Sequence, residues 1–102
     1  MSGNNGYAPS IIPHHSETQC WLCDRNGCGK MDRHEVFFGV NRQKSKRLGL
    51  WVHLCHSDCH LYGVHDSRQL DELLKIEGQM CAMKEYGWSV DDFIKEFGKS
   101  YI

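Results

Sequence analysis

The chain has 102 residues, of which 40% are hydrophobic and 25% charged, with a formal net charge of −1. That suits one small globular domain, excludes two independent cores, and excludes a strong overall field for nucleic acid, so any such contact has to be local. Six cysteines and seven histidines in so short a chain point to a staple, and disulfides and metal ions are the two common ones.

Residues 1–18 are rich in Gly, Asn, Ser and Pro and show no period of 2 or 3.6, the pattern of a flexible tail. They lack a basic start, and their longest apolar run is Ile11-Ile12, so no secretory signal is expected. No apolar run approaches the ~18 residues of a membrane span. The expected setting is therefore cytoplasmic, where thiols stay reduced and bind metal. The structured domain is expected over 19–102.

"CWLCDRNGCG" reads as a tight turn, with Asn26-Gly27 and Gly29 as turn formers. "RHEVFF", residues 33–38, is β-prone and stops at Gly39. "NRQKSKRLG", 41–49, reads as a polar basic loop, and "LWVHL", 50–54, as a second strand running into Cys55. Two strands joined by a loop, with cysteine pairs before the first and after the second, predict a compact hairpin. Helices follow. Asp66 or Ser67 can cap the first, with Gln69 closing a capping box on Asp66. Leu73, Ile76, Met80 and Met83 recur at helical spacing and, flanked by Leu70, Leu74 and Cys81, predict its buried stripe, with Cys81 as a small buried hydrophobe. Ser89-Val-Asp-Asp caps a last helix carrying Phe93, Ile94 and Phe97. The predicted fold class is α+β.

The cysteine spacing carries the first chemical inference. Cys20-x2-Cys23 and Cys55-x3-Cys59 are short pairs separated by 31 residues, room for two strands and a connection. Zn²⁺ takes four soft ligands in a tetrahedron, and two such pairs deliver them. The second pair is one residue longer than the usual knuckle, which leaves two alternatives open. His56 could replace one of its thiolates, and Cys28 could replace Cys23 in a wider turn.

The basic stretch Arg42, Lys44, Lys46 and Arg47 gathers four positive charges in six residues, which fits a DNA backbone or a solvated surface. The residues 1–65 carry a balance of +2 and 66–102 one of −3, so the basic charge lies beside the predicted hairpin.

The order of a cysteine pair, a strand with His34, a connection, a strand, and a cysteine pair followed at once by His60 resembles the ββα-metal (HNH) endonuclease family. The carrying segments are "RHEVFFG", "NRQKS", "GLWVHLC", "GVH" and "YGWSVDDFIKEFGKSYI", and the likeness is to small HNH-like proteins of phages and prophages. The resemblance implies a zinc-stapled hairpin and helix followed by C-terminal helices. It implies a metal-dependent DNA endonuclease or nickase with His34, His60 and His65 at a second divalent ion such as Mg²⁺, Mn²⁺ or Ni²⁺, and with His34 and Glu35 in the catalytic positions. Three departures stand against the family pattern. Glu35 occupies the usual general-base histidine position, so either Glu35 or His34 is the base. The motif's asparagine is replaced by Gly49 or Leu50, with Asn41 as the nearest substitute. On a helix His60 and His65 would point ~140° apart, so they converge only if 61–64 form a loop. These departures keep a second reading open, a zinc-stabilised module that has lost cleavage and binds DNA or a protein partner.

Overall fold

The polypeptide path is that of a computed structural model, which describes residues 6–23, 30–56 and 67–102. β1 (Met31–Glu35) and β2 (Trp51–Cys55) pair antiparallel in the register Met31 with Cys55, Arg33 with His53 and Glu35 with Trp51. Both strands are shifted from their predicted bounds, β1 two residues earlier and β2 one residue later. Val36 and Phe37 are fully buried, but in the bend that follows β1 rather than in the strand. Their apolar character made them look like strand, although what they supply is core volume.

The connection between the strands is not a loop. A 3-10 turn (Gly39–Asn41) leads into α1 (Arg42–Leu48), so the basic stretch is helical. Arg, Gln, Lys and Leu all have good helix propensity, and charge density by itself says nothing against a helix. Ser45 on α1 is buried, accepts from the Phe37 N–H at 3.0 Å and donates to the Phe37 carbonyl at 2.6 Å. That pair of bonds clamps α1 onto the end of β1. Gly49 ends α1 in the left-handed region (φ 76°), and a Cβ there would lie 2.3 Å from the Pro9 carbonyl oxygen. Only glycine fits on both counts.

Pro9 is there because the segment read as a tail lies across the hairpin. Ala8 N–H donates to the Lys46 carbonyl (2.8 Å), Ile11 N–H to the Gly49 carbonyl (2.9 Å), and Trp51 Nε1–H to the Ala8 carbonyl (2.7 Å). Ile12 is 3% exposed and belongs to the core. From Tyr7 onward the segment is tied to β2 and to the end of α1.

α2 (Arg68–Tyr86) is capped by Ser67, whose Oγ accepts from Leu70 N–H at 3.2 Å. Asp66, the other predicted cap, lies outside the described residues. The predicted buried stripe holds in part: Leu74 is in the core and Met83 packs against it, but Leu73 and Met80 are 57% and 56% exposed, and Gly78, Gln79 and Ala82 are buried instead. The cause is close approach. A Cβ on Gly78 would meet Val36 Cγ1 at 3.0 Å, so the face toward the bend after β1 has to be small. Gln79, buried in this face, donates to Ser100 Oγ at 3.0 Å and accepts from Tyr101 N–H at 2.6 Å, which ties down the C-terminal residues. Cys81 is half-buried and packs against the core, in line with the small hydrophobe expected. Its Sγ faces Glu77 Oε2 at 3.7 Å, and burial together with that carboxylate pushes the thiol up to about 11.

α3 (Val90–Phe97) begins with the predicted cap, in which the Ser89 and Asp92 side chains each accept from the other's backbone N–H. It delivers Phe93 and Phe97 to Phe37, with ring centroids 5.5 and 4.7 Å away. Val52, Leu54, Leu74 and Ala82 complete the core. The architecture is a small α+β fold of one antiparallel strand pair with helices, and no described helix is long and apolar enough to cross a membrane.

Candidate functional site

Strand alternation divides the hairpin into two faces, and every functional candidate on it has to belong to one of them. Arg33, Glu35, Trp51, His53 and Cys55 share the face covered by residues 7–15, here called the outer face. Asp32, His34, Val52 and Leu54 share the opposite, inner face, whose Val52 and Leu54 enter the core.

At the Cys55 end, three sulfurs come together. The Sγ atoms of Cys20, Cys23 and Cys55 all lie within 4.8 Å of one another, with Cys23 and Cys55 3.5 Å apart. Zn–S bonds of about 2.3 Å in a tetrahedron put sulfurs about 3.8 Å apart, so the observed separations fit one ion. Cys20 Sγ also accepts the backbone N–H groups of Cys23 and Cys55, both at 3.5 Å, which place partial positive charge on a would-be thiolate. Local sequence explains the placement: Cys20-Trp-Leu-Cys23 turns back on itself, and Trp21 N–H donates to the His53 carbonyl at 2.9 Å, docking the turn against β2. Only a thiolate is a ligand, so the three sulfurs can hold an ion in their reduced form. Cys59 and Cys28 lie outside the described residues.

His34 is 2% exposed on the inner face, with its ring edge-on to Phe38 at 6.0 Å between centroids. Glu35 points to the outer face, where it accepts from Tyr7 O–H and pairs with Arg42 Nε at 3.5 Å. The structure therefore does not bring the two predicted catalytic residues together. Neighbours in a strand cannot share a face, a consequence of the two-residue period that the adjacency of His34 and Glu35 in sequence conceals. Burial, with the Glu35 contact next, pushes the Tyr7 phenol up to about 12. His60 and His65, the other predicted ligands, lie outside the described residues.

The four predicted DNA-binding cations all sit on α1, and each has a partner within the protein. Arg42 meets Glu35, Arg47 Nη2 lies 3.5 Å from Glu96 Oε2, Lys44 Nζ donates to the Glu96 carbonyl, and Lys46 Nζ stands 4.9 Å over the Tyr7 ring. Arg42 and Arg47 remain largely exposed, with side chains 60% and 63% accessible.

Two histidine contacts escaped the sequence reading. His56 Nδ1 lies 2.6 Å from Asp32 Oδ2, which puts an oriented Asp–His pair on the same face as His34. The signal was available, since Asp32 and His34 share strand parity and His56 lies two residues beyond Leu54, the partner of Asp32. The set of ligand atoms gathered among the described residues is that of Cys20, Cys23 and Cys55, without His56. The second contact joins His15 and His53 on the outer face, Nδ1 to Nδ1 at 2.8 Å. Burial and the neighbouring imidazole lower His15 to about 4, and burial with Arg33 lowers His53. Nothing in the sequence announced this pair, because it needs residues 7–15 docked on the hairpin.

No family model, no curated protein and no solved structure matches the chain. The functional reading therefore rests on its own residues.

Proposed function

We propose that the protein is a metal-dependent phosphodiesterase of the HNH type that nicks or cleaves DNA. The observation that supports this is the order of parts: an antiparallel strand pair with three metal-competent sulfurs at one end, a buried histidine on the first strand, and a long helix following. In this reading Cys20, Cys23, Cys55 and Cys59 hold a structural Zn²⁺, which fixes the open end of a hairpin too small to be rigid alone. A second divalent ion, which the resemblance would place with His60 and His65, supplies charge stabilisation at a scissile phosphate. His34 takes the proton of the attacking water, the role a positioned imidazole commonly plays in general base catalysis. Glu35, held on the other face by Tyr7 and Arg42, is a structural anchor for the N-terminal segment.

The test is nicking of supercoiled plasmid by reduced, zinc-loaded protein with Mg²⁺, Mn²⁺ or Ni²⁺. His34→Ala should lower the rate 10²-fold or more, while Glu35→Gln stays within about threefold of wild type. Equal residual activity in all three proteins defeats the nuclease reading. The second reading, a zinc-stabilised module that binds DNA or a protein partner without cleaving, is favoured by the engagement of Glu35 in internal contacts. It expects no metal-dependent nicking at all.

A further inference from the structure

A cleft of about 440 Å³ opens between the first turns of α2 and the C-terminal residues, on the α2 side of the bend that follows β1. Arg68, Lys75 and Lys99 line it together with Asp71, Glu72, Ser100 and Tyr101. Each carboxylate is already neutralised by a neighbour. Lys75 Nζ lies 2.8 Å from Asp71 Oδ2, and Arg68 Nε lies 3.4 Å from Glu72 Oε2. Lys99 makes no ion pair among the described residues, and its Nζ stands 4.9 Å over the Tyr101 ring, which Lys75 Nζ also approaches at 5.8 Å. Two ammonium groups from separate parts of the chain thus converge on one aromatic ring, and the lining carries a net charge of +1. Tyr101 is held in place by its backbone bond to Gln79 and its ring contact with Phe37 at 5.4 Å, so the cleft wall is anchored to the core.

The cleft is also connected to the candidate base. Lys75 Nζ lies 4.4 Å from the Phe38 ring, and Phe38 meets His34. A nucleic acid strand with one phosphate at His34 therefore reaches the cleft within a few nucleotides, at ~3.4 Å of rise per nucleotide.

We propose that this cleft is a phosphodiester subsite, in which Lys99, Lys75 and Arg68 hold the backbone of a DNA strand beside the site around His34. The inference rests on the DNA-directed reading above and adds the surface that carries the strand. Lys99 supplies the direct phosphate contact, while Lys75 and Arg68, aligned by Asp71 and Glu72, shape the positive rim.

Fluorescence anisotropy with a short fluorescein-labelled DNA duplex, at several salt concentrations, tests it on the full zinc-loaded chain. Lys99→Ala should weaken binding at least threefold and reduce the salt slope by about 1, and Lys99→Glu should weaken it at least tenfold. Arg47→Ala, on α1, should change affinity less than twofold. Lys99 is exposed, so its variants should keep the wild-type melting curve, and a matched melt shows that a binding loss is local. Unchanged affinity and salt slope in both Lys99 variants overturns the subsite even if plasmid nicking by the wild type upholds the nuclease reading. A Lys99-dependent complex without nicking upholds the subsite and removes the nuclease. Losses in Arg47→Ala that equal those in Lys99→Ala assign the strand to α1 and overturn the proposal.

Discussion

The two faces of one five-residue strand pair have opposite chemistry. On the outer face, Glu35, His53 and Cys55 are spent on holding structure: Glu35 on Tyr7 and Arg42, His53 on His15, Cys55 on the sulfur cluster. On the inner face, Asp32 pairs with His56, and His34 is buried beside core residues. Polar residues of the same type, one position apart, thus divide between scaffold and candidate chemistry according to strand parity alone. A histidine near a cysteine pair means nothing until its face is known.

The largest test of this division concerns the outer face. Cys20→Ser, or chelation of the reduced wild type, should abolish the cooperative thermal transition followed by circular dichroism, since metal affinity in such a centre is folding free energy. An unchanged melt would show that the sulfurs are close for reasons other than zinc. Next comes the core behind the inner face. Leu74→Ala should lose about 2–5 kcal/mol in chemical denaturation, whereas Leu73→Ala, one residue away on the exposed side of α2, should change stability by less than about 0.5 kcal/mol. Equal losses would restore the stripe read from periodicity.

A smaller effect separates the faces by pH. Unfolded His15 takes a proton near 6.5 and the folded form near 4, so between those values the unfolded state binds more protons. Stability should therefore fall as pH drops from about 7 to 4, and His15→Gln should flatten the profile. The expected amplitude is about 1 kcal/mol once solvent screening of a half-exposed ring is allowed for. A profile unaltered by the substitution would mean that the His15–His53 contact does not hold the segment. The smallest effect is independent of both faces: Ser89→Ala should cost about 1 kcal/mol by removing the α3 cap.

These outcomes also measure how far local pattern carries. The α3 cap and the existence of both strands were legible, because each depends on residues adjacent in sequence. The sulfur cluster was legible from spacing, since Cys20 and Cys23 share a turn and Cys55 ends a strand. The buried side of α2 was not. Its large apolar residues and its small ones both recur at helical spacing, and only the proximity of Val36 and Phe37 selects the small set. In the basic stretch, dense charge masks the helix propensity of Arg, Gln, Lys and Leu, so its local pattern looks like a loop.

By itself, then, the sequence determined the α+β class, the Ser67 and Ser89 caps and the candidacy of Cys20, Cys23 and Cys55 as a cluster, all resting on short segments with strong local preferences. Tertiary structure alone decided that residues 7–15 lie on the hairpin, that His15 meets His53, and that α2 turns its small residues to the core. Each of those outcomes depends on contacts between residues more than twenty positions apart. Such contacts form only when the whole chain has collapsed around one core, and no local signal encodes them.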